Sequence, residues 1–163
     1  MSGNIGGTWP QAGTVVLKEL AANRGRLALV AGSRDGVAWL ASKLSADLDL
    51  SSVSLGSATS HLGTPPTESQ LYDMAGSADM VTDLDLLAWP ALQLNPLAFL
   101  IRLARRRPTL AVWPGDVLEQ RARYSETGRP DHLDERLYDA IVLRPRQTRY
   151  PDEVPFTIER IAR

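Results

Sequence analysis

The stretch "LALVAGSRDGVAWLASKL", residues 27–44, holds the residues that most resemble a binding element. An apolar run, Leu27–Ala31, meets a turn of Gly32, Ser33, Arg34, Asp35 and Gly36, and an amphipathic pattern follows. A phosphate loop is built in this way: glycines permit tight curvature, and backbone N–H groups at the positive end of a helix converge on one anion. The full pattern then adds a lysine as a fixed positive charge and a Ser or Thr hydroxyl that ligates magnesium. Aligning Gly36 with the second glycine puts Ala31 at the first, Val37 at the lysine and Ala38 at the hydroxyl. Val37 cannot stabilise transferring phosphoryl charge, and Ala38 cannot bind magnesium. Gly32–Gly36 is therefore a candidate anion- or nucleotide-binding turn with Arg34 as its cation and no catalytic residue. A plain strand-to-helix turn is the preferred reading.

Two further groups carry titratable chemistry. In "MVTDLDLL" the carboxylates Asp83 and Asp85 stand two apart, so on a strand they share a side at its end. Paired acids can perform general acid–base work or attend a magnesium ion, and the simpler reading is a solvated acidic strand end. The arginines Arg102, Arg105, Arg106 and Arg107, with Arg121 and Arg123, are candidate contacts to DNA or to a protein partner. No aromatic residues interleave with them, and intramolecular ion pairing is the preferred explanation. His61 and His132 are isolated, and Ser33 lacks the G-x-S-x-G context of a nucleophile elbow. With no cysteine in the chain, disulfides and thiolate metal sites are excluded, and no metal site is expected.

These residues need elements to hold them. Leu27–Ala31 reads as a strand buried on both faces, and Asp35 as the N-cap of a helix through Val37, Leu40, Ala41 and Leu44. "TVVLKELAAN", 14–23, has one apolar helical face, closed by Asn23 and Gly25. Val53–Leu55 reads as a short strand, Gly56–Pro66 as a surface loop and Pro66–Ala75 as a short helix. Met80–Leu87 reads as a strand, and Pro96 opens a helix whose arginines gather at its C-terminal end, where the dipole favours them. Thr109–Trp113 and Ala140–Leu143 are further apolar strands. Arg121–Asp131 reads as turn-rich, and "PDHLDER" as a helix start. Short apolar strands alternating with helices predict an α/β sandwich of three layers around a mainly parallel sheet of about five strands. Ligands of such folds lie beyond the C-terminal ends of the strands. Three polar clusters, Gly32–Gly36, Asp83–Asp85 and Trp113–Asp116, fall at strand ends on this reading.

The 163 residues are expected to form a single domain, with a loose N-terminal arm over 1–13 and an irregular tail over 146–163. Hydrophobic residues make up 44% and charged residues 23%, ordinary for a globular protein. No run reaches the roughly 18 apolar residues of a membrane span, and no signal-peptide pattern opens the chain, so a cytoplasmic location is expected and no membrane partner. Residues 1–100 carry 5 basic and 9 acidic side chains, whereas 101–163 carry 13 arginines against 10 acids.

The segment "PALQLNPLAFLIRLARRRPTLAVWPG", followed by "RYSETGRPDH", resembles the small P-loop-containing BrxF family of type 3 BREX (bacteriophage exclusion) defence systems. The residues that carry the likeness are Leu92, Gln93, Asn95, Pro96 and Leu97; Ala111, Trp113, Pro114 and Gly115; and Tyr124, Glu126, Gly128 and Pro130. The likeness is specific over 88–131. The departure is the loop itself, since Val37 and Ala38 stand where the family has lysine and a hydroxyl. The resemblance implies a P-loop-NTPase-like sheet and an intracellular bacterial protein working beside larger defence subunits, a DNA methyltransferase and a large ATPase among them. It does not carry nucleotide hydrolysis over. The expected function is a non-catalytic or weakly nucleotide-binding adaptor, with no required cofactor, other defence proteins as partners and room for a homo-oligomer. The alternatives are a regulator that binds ATP or GTP at the turn without hydrolysing it, and an arginine-mediated DNA-binding module.

Overall fold

The computed structural model describes residues 2–3, 6–23 and 25–163. A seven-stranded sheet runs in the order β1 (Ser2–Gly3), β10 (Phe156–Ile161), β9 (Ala140–Pro145), β2 (Leu27–Val30), β5 (Leu110–Val112), β4 (Met80–Thr82) and β3 (Ser52–Ser54). The five strands from β9 to β3 are parallel, and β10 and β1 extend the edge antiparallel. A separate antiparallel meander, β6 (Asp116–Leu118), β7 (Arg121–Tyr124) and β8 (Leu133–Arg136), follows β5. The protein is thus α/β, with a mainly parallel sheet and a small second one.

The chain order decides which face each helix covers. From β2 the chain crosses to the far edge, β3, and then returns inward through β4 and β5. Right-handed crossovers in opposite directions must lie on opposite faces. Accordingly α2 (Arg34–Asp47) buries Val37, Leu40 and Leu44 with Ala28 and Val30, while α4 (Glu68–Ala75) and α5 (Pro96–Arg106) bury Leu71, Phe99 and Leu103 with Leu29 and Val81. Alternate residues of β2 therefore serve two cores, which is why its sequence is a continuous apolar run.

Several sequence expectations are corrected. Ser33, not Asp35, caps α2, because its Oγ accepts the Gly36 N–H at 3.1 Å and Asp35 falls inside the first turn. Gly56–Pro66 is a loop only in part, since α3 (Leu55–Thr59) begins directly at the end of β3 with Ser54 as its cap. The strand expected over Met80–Leu87 stops at Thr82, and Leu84–Ala88 forms a 3-10 turn. Arg121–Asp131 and "PDHLDER" contribute β7 and β8: Val117, Ala122 and Leu133 turn inward onto the α5 side of the sheet.

The two ends are not loose where described. Trp9 is buried, donates its indole N–H to Asp47 at 2.6 Å and meets Phe156 edge-on with centroids 6.0 Å apart. Gln11 already opens α1 (Gln11–Ala22), and Phe156–Ile161 is a six-residue strand. Arm and tail order each other, a contact that no local pattern announces. Positions 1, 4 and 5 of the expected arm lie outside the described residues.

Candidate functional site

Only Ala31, Gly32 and Ser33 separate β2 from α2. A phosphate loop needs several residues arched around an anion before the helix starts, and here Arg34, Asp35 and Gly36 already belong to the helix. The Gly36 N–H is taken by Ser33 Oγ, and the Val37 N–H donates to the Ser33 carbonyl at 2.9 Å. Pro145, the last residue of β9, presses on the turn: a Cβ at Gly32 would stand 3.0 Å from its Cδ, and one at Gly36 3.2 Å from its Cγ and 2.7 Å from Ser33 Oγ. A side chain at either glycine would crowd these neighbours. Val37 is buried in the core, whereas Ala38 is exposed.

The carboxyl ends of β2, β4 and β5 nevertheless open into one cavity of about 890 Å³. Gly32, Ser33 and Arg34 line it, with Asp83, Asp85 and the segment Trp113–Asp116. All three polar clusters read from the sequence therefore contribute, though Asp35 and Gly36 do not line it. The wall along α2 is made of small residues, Ala38, Ala41, Ser42, Ser45 and Ala46. Their spacing of three and four residues was legible; their role was not.

Asp83 and Asp85 do not sit on a strand. Asp83 follows β4 with φ 53° and ψ 53°, a left-handed conformation that aspartate tolerates, and Ser54 Oγ donates to its Oδ2. Asp85 stands in the 3-10 turn and accepts the Tyr124 hydroxyl at 3.1 Å. Burial, and then this hydrogen bond, push the Tyr124 phenol up to about 12. Ser54 and Tyr124 hold the two acids in place, and neither was singled out from the sequence for that role.

The motif residues of the meander and of α5 prove to be joints. Trp113 Nε1–H donates to the Arg123 carbonyl at 3.1 Å, and a Cβ at Gly115 would fall 1.9 Å from that same carbonyl oxygen. Asn95 caps α5 by accepting the Ala98 N–H at 3.0 Å, while its Nδ2 donates to Glu135 of β8 at 2.7 Å. Pro96 occupies the first helical position, where a missing N–H costs nothing.

The candidate arginines are not gathered into one patch. Arg102 pairs with Glu68, and Arg107 with Asp79 at 2.6 Å. Arg106 lies 4.5 Å over the Tyr72 ring, and Arg105 rests its stem against Gly25. On the meander Arg121 binds Asp134 at 2.7 Å, and Arg123 stands 3.6 Å from the same carboxylate. The hydrogen bond from Arg121 holds Asp134 below the ordinary carboxylate range. His61 is exposed, far in sequence from His132, whose Nδ1 is buried without a hydrogen bond. Among the described residues, no group of three or more His, Asp or Glu is placed to hold a metal ion, and no helix is long and apolar enough to cross a membrane. Comparison with family models, with curated proteins and with solved structures returns no match.

Proposed function

We propose that the chain is a P-loop-like domain without phosphoryl-transfer activity, acting as an interaction subunit of a bacterial anti-phage assembly of the BREX type. The observation that carries the first half is the turn after β2: α2 starts at Arg34, with only three residues between it and the strand, and Gly36 N–H is already capped by Ser33. An anion offered to this turn meets a helix end with one donor spent, Val37 and Ala38 in place of the loop lysine and hydroxyl, and Asp83 and Asp85 in the same cavity. A framework of parallel strands with an acidic segment after β4 supports descent from a nucleotide-binding architecture. The defence context rests on the resemblance over residues 88–131.

The test has two arms. A nucleotide bound at a hundredfold excess over Kd would stabilise the fold by about 2.7 kcal/mol, so thermal melting with millimolar ATP or GTP and magnesium is expected to show no shift, and phosphate release no turnover. Tagged protein expressed with its genomic neighbours is expected to retain at least one of them at near-physiological salt. A nucleotide-dependent rise in melting temperature would favour a regulator instead. A lone monomer in the second arm would sink the interaction reading.

A further inference from the structure

The two faces of the sheet are roofed unequally. Among the described residues, one carries α3, α4, α5 and the meander, whereas the other carries α1 and α2 with Trp9 and Val154, and α2 is packed on β2 and β9. Beside α2 the same face of β5, β4 and β3 is left as the floor of the 890 Å³ cavity, through Val112, Met80, Thr82 and Ser52. The result is a groove with one wall of small side chains, along which another backbone can approach closely.

Its charge is one-sided. Asp83, Asp85 and Asp116 line the carboxyl end, and Arg34 is the single cation among the lining residues. None of the three carboxylates enters an ion pair among the described residues, although Glu19, Glu68, Asp79, Asp134, Asp139 and Glu159 elsewhere each face an arginine. Asp83 and Asp85 are instead oriented by the neutral hydroxyls of Ser54 and Tyr124, which fix the carboxylates without neutralising them.

We propose that this groove is the docking site for a basic segment of a partner protein, lying along the small-residue face of α2 with lysine or arginine side chains directed at Asp83, Asp85 and Asp116. The inference rests on the interaction-subunit reading and names its surface. Charge complementarity selects the occupant: carboxylates repel a nucleic-acid backbone and attract a basic peptide, whose encounter the acidic groove would steer. The chain's own arginines at α5 and the meander are largely engaged with Glu68, Asp79, Tyr72 and Asp134, which argues against a second copy.

The probe is a capped peptide of four Ala-Arg repeats, titrated into isotopically labelled protein at 100 mM salt, as roughly physiological screening requires, with four Ala-Glu repeats as control. Amide shifts are expected at 38–46, 82–85 and 112–116 with the arginine peptide alone. Affinity is expected to fall at least tenfold in Asp83→Asn/Asp85→Asn/Asp116→Asn, and equally in Ser42→Trp, which fills the groove from an exposed helix position. Shifts spread over other surfaces, or unchanged affinity in both variants, would overturn the proposal, as would a doubled mass by light scattering that the triple variant abolishes. If genomic neighbours bind wild type and both variants alike, the groove is wrong while the interaction reading stands. If the peptide binds as described and no neighbour is retained, the groove stands as a basic-peptide site while the interaction-subunit reading fails.

Discussion

At the scale of single residues, Gly115 and Tyr124 do what their types alone would not reveal. Gly115 is required because the Arg123 carbonyl occupies the space of a side chain. Gly115→Ala must displace the meander, and overpacking of this kind costs about 1–3 kcal/mol; urea denaturation is expected to show the loss, with Trp113 fluorescence shifted as its indole hydrogen bond yields. Tyr124 gives a pH signature. Its folded pKa, about 12, lies above the ordinary phenol value of 10.0, so the neutral phenol is the form that folding favours. The stabilisation is complete below pH 10 and is lost as pH rises toward 12. Tyr124→Phe should flatten that part of the stability profile, measured by denaturant midpoints from pH 9 upward, roughly spanning the free and folded values. If wild type and variant decline in parallel, the Tyr124–Asp85 contact does not exist in solution.

At the scale of elements, the turn between β2 and α2 separates missing side chains from missing geometry. Were Val37 and Ala38 the only defects, Val37→Lys/Ala38→Thr would restore a binding loop. Because α2 starts at Arg34 and Val37 points into the core, the double variant is expected to lose stability and to gain neither nucleotide-dependent melting shift nor turnover. The cap itself is testable: Ser33→Ala should cost about 0.5–2 kcal/mol, the usual worth of an N-cap hydroxyl. A neutral result would mean that Pro145 and the buried face of α2 hold the turn unaided.

At the scale of the whole molecule, carboxylates join distant segments. Glu19 of α1 is held below its ordinary range chiefly by its hydrogen bond from Arg160 of β10, and Asp47 of α2 by the Trp9 indole and then Lys43. Asp134 is similarly held by Arg121. Lowered folded values mean that the unfolded chain takes up protons first, so this stabilisation is present above the ordinary glutamate and aspartate values of 4.5 and 3.8 and is lost as pH falls below them. Acid should therefore loosen the junction of arm, α2 and tail. Trp9→Phe is expected to lower stability at neutral pH and to reduce the acid-side slope, as read by denaturant midpoints between pH 7 and about 3.

The sequence by itself determined the parallel strands β2, β5 and β9, the helices α1, α2 and α5, and the placing of three polar clusters at strand ends. Each is written locally, as an apolar run between turn residues, a 3.6-residue periodicity or a proline at a helix start. The same local reading showed that Val37 and Ala38 stand where a phosphate loop has its lysine and its hydroxyl. Tertiary structure alone decided the rest. β7, β8 and β10 interleave buried apolar residues with arginine, aspartate and glutamate instead of forming continuous apolar runs, so their pairing depends on partners distant in sequence. Pro145, 109 positions beyond Gly36, packs against the turn. Ser54 and Tyr124 orient the acids from two other segments, and the groove lies beside α2 because right-handed crossovers sent α4 and α5 to the opposite face.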